Sequence, residues 1–387
     1  MELTLKTDKF GPKYVLRVSD PKIGMEGFLV IDNLALGRGK GGIRMTSNVT
    51  EVEVFRLART MTWKNALAEI PFGGAKAGIV WRGGDDNLKK KFVQSFAHAL
   101  KPFLVKYYIA GPDVNTGERE MQWFVEAVDN YHAATGKPAN LCLETFVGAN
   151  GKVRHAEGAR GKCGLPHEYG STGFGVAKST DVAVEFAGIS LKGATVAIHG
   201  FGNVGTFAYQ YLMDGGAKIV ALADHHAALY NKDGLDGKVL NKIISDKSKL
   251  DVYPKEFRIK SEDFWKIPVD ILIPASVTDV INDSNKNDIK VKIIIEGGNI
   301  PMSEEIELGL HKKGILVVPD FVANAGGVIS SYAEHRGYNP KRMFDLVERK
   351  IKKSTKLVLK RAKKENKSPR EVAMQIAMER VEKASQE

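Results

Sequence analysis

Three charged residues stand in settings where a side chain can move a proton. Lys76 lies in Pro71-Phe72-Gly73-Gly74-Ala75-Lys76-Ala77-Gly78. Its neighbours carry almost no side chain, so a small molecule and the backbone can both approach the ammonium. A desolvated lysine beside a second cation loses proton affinity and becomes a candidate for acid–base work. Lys64 is a candidate for that second cation. It extends an apolar stripe of Val54, Leu57, Ala58 and Met61 at helical spacing, which aims its ammonium toward a core. Asp113, in Gly111-Pro112-Asp113-Val114-Asn115-Thr116, follows the apolar segment YYIA, at or just past a strand end where α/β active sites collect. A carboxylate near two lysines makes a proton shuttle. Each residue also has a plainer reading: a lysine snorkelling from the stripe's edge, a flexible glycine turn, and a turn or helix-capping aspartate.

A second chemistry is written in residues 195–224. Thr195–His199 is a short apolar and β-branched run, Gly200, Gly202 and Gly205 spell G-x-G-x-x-G, a helical stretch runs to about Asp214, and a second apolar strand, Lys218–Ala223, ends on Asp224. This is a dinucleotide-binding βαβ unit with its parts in order. Gly200 allows the tight turn, Gly202 lets backbone N–H groups approach a pyrophosphate, and Gly205 lets helix and strand pack closely. Asn203 and Val204 complete the loop at the positive end of the helix dipole. Asp224 stands where an acid bonds ribose hydroxyls.

The elements that must position these residues fall into three stretches. From about Gly188 onward strands and helices alternate, with strands expected at Thr195–His199, Lys218–Ala223, Asp270–Ile273, Val291–Ile295 and Ile315–Val318. That alternation signals a doubly wound parallel sheet. Earlier in the chain the pattern predicts an extended segment around Phe28–Asp32 and the glycine-broken RGKGGIRM. Helices are expected over Thr50–Ile70, opened by a Thr50/Glu53 capping box, over Asn87–Lys106 and over Glu118–Asn130. Residues 148–170 are polar and glycine-rich and suit a hinge or flap. From Tyr338 the chain is helical. The expected fold is therefore α/β, with two domains across a cleft. An N-terminal α/β substrate domain spans 1–165 and a Rossmann-type doubly wound nucleotide-binding domain spans 170–330. C-terminal helices, 331–387, pack back on the first domain.

Composition narrows the classes. The 387 residues are 43% hydrophobic and 27% charged, with net charge +11 and two cysteines. No apolar run approaches the roughly 20 residues that span a bilayer, and MELTLKTDKF carries no hydrophobic signal core. Two cysteines are too few for a disulfide framework or a cysteine metal site. The expectation is a cytoplasmic protein with no metal and no membrane. The basic charge could mark nucleic-acid binding, but its lysines concentrate in C-terminal helices among acids and apolar residues, with no aromatic-basic stacking motif. A solvated helix face is the reading we adopt, with no nucleic acid as partner.

Together these pieces resemble the glutamate/leucine/phenylalanine/valine dehydrogenase family, with the glutamate enzymes nearest. The resemblance rests on GKGGIRM, MTWKNALAEIPFGGAKAGI, GPDVNT, GFGNVG, EGGNIPMS and PDFVANAGGVISSY. It implies hydride transfer between an L-amino acid and NAD or NADP, with water displacing the imine to release ammonia and a 2-oxo acid. It also implies a homo-oligomer, a hexamer in this family. By resemblance Lys76 is the catalytic lysine that activates water, Asp113 the acid/base at the amino nitrogen, and Lys64 the partner of the α-carboxylate. Asn299 and Asn324 line the nicotinamide side, and Thr172 bonds the carboxamide.

Side-chain selection is mixed. Lys40 in K-G-G-I-R and Ser331 match the residues that bind a distal carboxylate in the glutamate enzymes, whereas Lys40 is apolar in the leucine and phenylalanine enzymes. An arginine that the glutamate enzymes commonly carry before T-G-x-G corresponds here to Glu168. A carboxylate there either repels a dicarboxylate or pairs with Lys40, so another amino acid with a neutral side chain stays open as substrate. So does a silent regulatory paralogue, although Lys64, Lys76 and Asp113 are all intact. For the cofactor, Asp224 favours NAD by repelling the 2′-phosphate of NADP. His225 and His226 beside it offset that repulsion when protonated.

Overall fold

The structure, a computed structural model, describes residues 7–146 and 162–386, so much of the glycine-rich stretch expected as a hinge lies outside the described residues. The chain divides into two compact units: Met1–Tyr169 with Val328–Leu346 and Met374–Glu387, and Gly170–Gly327 with Val347–Ala373.

The first unit is a mixed sheet flanked by helices. In chain order its elements are β1 (Tyr14–Asp20), β2 (Met25–Asn33), β3 (Gly39–Lys40), β4 (Ile43–Thr46), α1 (Glu51–Leu67), β5 (Gly73–Val80), α2 (Asp86–Leu100), β6 (Tyr108–Ile109) and α3 (Glu118–Ala127). The sheet order is β1-β2-β5-β3-β6, with β4 also paired to β5. The Lys76 segment is therefore no flexible turn but β5, a strand bonded to β2, β3 and β4. Its glycines are required by close packing. A Cβ on Gly74 would collide with Thr62 and the Ala58 carbonyl of α1, and one on Gly78 would reach Val49 and Val54. Ala75, Ala77 and Ile79 alternate to the opposite face and join a core with Leu29, Ile31, Phe96 and Phe124.

Helix limits follow local chemistry. Thr50 caps α1 by accepting the Glu53 N–H at 3.2 Å, but the Glu53 carboxylate turns to Arg44, so the expected capping box is half made. α2 stops at Leu100 rather than Lys106 because Pro102 cannot continue it. α3 ends at Ala127, and Asp129 follows in the left-handed region with φ 54°.

The second unit is built on α4 (Ser171–Phe186), β7 (Thr195–His199), α5 (Asn203–Asp214), β8 (Lys218–Ala223), β9 (Ala228–Tyr230), α6 (Gly237–Ser245), β10 (Arg258–Ile259), β11 (Val269–Pro274), β12 (Val291–Ile295), α7 (Glu304–Lys312), β13 (Leu316–Val318) and α8 (Asp320–Ala323). Its sheet order is β10-β9-β8-β7-β11-β12-β13. Strands β8, β7, β11, β12 and β13 run parallel, and β9 and β10 add an antiparallel edge. Strand order reverses at β7, so the glycine loop after it lies at a topological switch point, where open α/β sheets bind ligands. The remaining helices are α9 (Gly326–His335), α10 (Pro340–Glu365) and α11 (Pro369–Gln386). They are shared between the units, with Val347–Ala373 assigned to the second.

Among the described residues no helix is long and apolar enough to cross a membrane. The two cysteines, too few for a disulfide framework, form one disulfide with each other, Cys142–Cys163.

Candidate active site

In the first unit, β5 presents Lys76 on the face where α1 packs, between Gly74 and Gly78. The Lys76 ammonium lies 2.9 Å from Asp113 Oδ2, and both side chains are largely buried. The partner the structure gives Lys76 is thus a carboxylate. Arg44, on β4, donates its Nε to the same Oδ2 at 3.1 Å and pairs through Nη1 with Glu53 at 2.5 Å. Burial alone would raise the Asp113 carboxyl, but Lys76 and Arg44 outweigh it and hold the group below the usual aspartate value. Asp113 is fixed from behind as well. Its N–H donates to Thr116 Oγ1 at 3.0 Å, and Thr116 donates in turn to the Ile43 carbonyl at 2.6 Å. Gly42 lets this turn approach, since a Cβ there would press on the Pro112 carbonyl and Asp113 Cβ.

Lys64 is buried in the last turn of α1, so it does not snorkel to solvent. Lys40 is buried on β3 between β5 and β6, and its ammonium donates to the Ala110 carbonyl at 2.7 Å. Gly111 makes room for it, because a Cβ there would collide with the Lys40 Nζ. Burial pushes the Lys40 pKa down to about 7, with Glu334 opposing and Lys137 and Lys76 adding to the fall. Lys137 and Glu334 are themselves a buried pair at 2.6 Å, and Glu334 Oε2 accepts the N–H groups of Gly136 and Leu165 at 2.8 Å each. Ser331 is half-buried on α9, three residues before Glu334.

In the second unit, Gly200 has φ +108°, a conformation L side chains rarely adopt, and a Cβ there would lie 2.7 Å from the Ala275 carbonyl. At Gly205 a Cβ would fall on the Gly200 carbonyl. At Gly202 it would meet nothing within 4 Å, so packing inside the chain gives no reason for a glycine at that position. Asn203 and Val204 open α5 without a side-chain cap, leaving the helix N-terminus able to meet an anion. These features fit a dinucleotide pyrophosphate. Asp224 follows β8 and accepts the N–H groups of His226 and Ala227 on Oδ1 at 2.7 and 2.9 Å. The exposed His225 and His226 rings stand 3.7 Å apart. Thr172 lies in the first turn of α4, against Gly327, where a Cβ would come 2.9 Å from its Oγ1. Asn324 Nδ2 donates to the carbonyls of Gly297 and Gly298 and to Asn299 Oδ1, at 3.0 to 3.2 Å.

Comparison with known proteins accounts for both halves. Residues 163–387 match Glutamate/Leucine/Phenylalanine/Valine dehydrogenase, and residues 12–130 match the Glu/Leu/Phe/Val dehydrogenase dimerisation domain. The chain belongs to this dehydrogenase family. It is 37% identical over 375 residues to a glutamate dehydrogenase of Aeropyrum pernix, covering 91% of this chain and 84% of that one. It is 35% identical over 329 residues to an NADP-specific glutamate dehydrogenase of Saccharolobus shibatae, covering 83% and 74%. Among solved structures, glutamate dehydrogenase from Peptoniphilus asaccharolyticus superposes with TM-score 0.78 at 28% identity, covering 97% of this chain and 91% of that one. A hetero-hexameric glutamate dehydrogenase from Thermus thermophilus, in a leucine-bound form, shares the fold with TM-score 0.81 at 24% identity, covering 96% and 89%.

Glu168 is the residue that the resemblance set in the place of an arginine. It lies half-exposed in a short 3-10 turn, 3.4 Å from His167 Nδ1, and its charge adds to the burial that raises the Glu118 carboxyl. The Glu168–Lys40 pairing left open by the sequence does not form, since the Lys40 ammonium points to Ala110. Three charged or titratable residues with notable surroundings were not singled out from the sequence, two in the first unit and one in the second. Arg44 sat inside the quoted GKGGIRM, but nothing local showed that its charge would reach Asp113. Glu334 gave no spacing signal. His199, at the end of β7, stacks on Trp265 at 4.7 Å and shares a 2.8 Å hydrogen bond with Ser276. Burial lowers its pKa to about 4.

Proposed function

We propose that this dehydrogenase catalyses the reversible oxidative deamination of an L-amino acid, with glutamate the first choice. The 2.9 Å contact between Lys76 and Asp113 carries the reading, because it pairs a buried proton donor with a buried proton acceptor in the unit that also buries Lys40 and Lys64. Lys64 fixes the α-carboxylate. Asp113, ionised, takes a proton from the substrate ammonium. Lys76 orients the water that attacks the imine carbon and stabilises the oxygen charge that develops there. Asp113 returns its proton to the leaving amino nitrogen, and Lys76 relays the proton of the added water to solvent as the carbonyl forms and ammonia departs. Lys40 and Ser331 meet the distal carboxylate.

Gly200, Gly202, Asn203, Val204 and Gly205 hold the cofactor pyrophosphate, Asp224 the ribose, and Thr172, Asn299 and Asn324 the nicotinamide end. The cofactor, when bound, supplies a hydride acceptor. Asp224 favours NAD, while two relatives carry NADP in their names. The match to a dimerisation domain supports a homo-oligomer, which we take to be a hexamer working in the cytoplasm.

The test runs the reaction in reverse. Purified protein given ammonium, a reduced cofactor and 2-oxoglutarate should oxidise the cofactor and form glutamate. Faster turnover with 2-oxoisocaproate would move the assignment to a neutral substrate.

A further inference from the structure

Outside the residues assigned so far, the second unit buries four charged side chains in one cluster. Arg370, in the first turn of α11, donates Nη2 to Glu296 Oε2 at 2.7 Å and to Asp320 Oδ1 at 3.1 Å, and Nε to Glu307 Oε2. All three carboxylates are at most 2% exposed. Glu296 follows β12, Glu307 is on α7 and Asp320 opens α8, so one guanidinium ties three elements to a fourth.

The cluster connects directly to the turn that carries the nicotinamide-side asparagines. Asp320 donates its N–H to Glu296 Oε2 at 2.7 Å, and Ile300 donates its N–H to Asp320 Oδ2 at 3.0 Å. Residues 297–299 lie between those anchors. Gly297 and Gly298 donate to the Pro274 carbonyl at 3.0 and 2.8 Å, and Asn324 closes the turn from the other side. Displacing Glu296 or Asp320 therefore moves Asn299 and Asn324 together.

Charge does not balance in this cluster. One guanidinium faces three carboxylates, and buried charge without a counter-charge is costly. Glu296 Oε1 and Glu307 Oε1 are both buried without a hydrogen-bond partner. One proton held by the Glu296–Glu307 pair lowers the charge and supplies a donor. Burial, with Glu307 beside it, pushes the Glu296 carboxyl well above its ordinary value. Burial also pushes that of Glu307 to about 6 against the pull of Arg370. The charged groups facing the pair are Asp320, Arg370 and, on α7, Glu304.

We infer that Arg370 is a positioning residue for the nicotinamide side of the site, acting through Glu296 and Asp320 on Asn299 and Asn324, and that Glu296 and Glu307 share one proton in the working enzyme. The inference rests on the proposed role of those asparagines. Loss of the shared proton on the alkaline side leaves two repelling carboxylates under the turn, and cofactor affinity falls.

The test is fluorescence titration of NADH and NADPH into full-length wild type, Arg370→Lys, Glu307→Gln and Asn299→Ala, between about pH 6 and 9, where a raised carboxyl would release its proton. Arg370→Lys should weaken the reduced cofactor about ten- to a hundredfold, the range for outer-shell partners, with the amino-acid KM unchanged. Wild-type affinity should fall toward high pH, and Glu307→Gln should flatten that fall. Should Arg370→Lys fail to fold, the Glu307→Gln profile decides. Unchanged cofactor affinity in folded Arg370→Lys, or superimposable pH profiles for wild type and Glu307→Gln, overturns the inference. If Asn299→Ala weakens binding in that case, the inference fails alone; if Asn299→Ala has no effect, the assignment of the asparagines fails with it.

Discussion

Lys76 and Asp113 are 37 residues apart in sequence, yet their ammonium and carboxylate meet at 2.9 Å, with Arg44 on the same carboxylate oxygen. Lys76 and Arg44 together keep Asp113 ionised, and the ion pair occupies one of the three donor hydrogens of Lys76, leaving two for other partners. Each of the two groups can therefore pass a proton on without leaving its place.

Removing Lys76 should stop chemistry and spare nucleotide binding, because Lys76 lies outside the glycine-loop unit. Lys76→Ala should lower kcat by about two to four orders of magnitude, the span of acid–base and electrostatic contributions. NADH titration should show unchanged affinity. A variant that keeps more than about a tenth of wild-type turnover removes Lys76 from the catalytic set.

Lys40 ties substrate choice to pH. An ammonium that loses its proton near pH 7 binds a distal carboxylate only below that pH. The sign follows from burial, which depresses this pKa: charge is present on the acid side and lost as pH rises through about 7. KM for glutamate should rise from pH 7 to 9 relative to KM for leucine measured alongside. Lys40→Leu should cost glutamate about 2–5 kcal/mol in kcat/KM, the range for truncating one member of a buried charge pair, and should abolish that pH dependence. Parallel pH profiles for the two substrates would place the distal carboxylate away from Lys40.

Asp224 should set the ribose preference. Its Oδ1 is occupied by two backbone N–H groups, so Oδ2 is the oxygen left to face a ribose. Asp224→Ser removes the charge and should raise NADP use relative to NAD, read as the ratio of the two kcat/KM values. An unchanged ratio would assign Asp224 to the turn alone.

The Cys142–Cys163 disulfide closes a sequence separation of 21 residues. Closing a loop of this size restricts the unfolded chain by about 3 kcal/mol. Cys163→Ser should unfold at lower denaturant than wild type in the absence of reductant, and a dithiol should erase the difference. Equal midpoints without reductant would show that the bond does not form in solution.

What the sequence made legible was local. Thr195–His199, the glycine loop and Lys218–Ala223 can be read from consecutive residues, and the structure places both strands at those limits. β5 was not legible, because Gly73-Gly74-Ala75-Lys76-Ala77-Gly78 looks like a turn until α1 is laid against it and the glycines become the space the helix needs. Arg44 and Arg370 were hidden for a similar reason. Each gains its role from carboxylates about 50 or more residues away, and no periodicity encodes such a meeting. The disulfide was likewise invisible, since two cysteines carry no spacing pattern.

The central claim is that this chain oxidises an L-amino acid at Lys76 and Asp113 using NAD or NADP. The most direct test offers the purified protein a panel of L-amino acids with each cofactor and follows the absorbance of the reduced nicotinamide together with released ammonia. We predict cofactor reduction with stoichiometric ammonia, fastest on glutamate, and none from Lys76→Ala. A folded protein that binds NADH yet reduces neither cofactor with any L-amino acid would contradict the account.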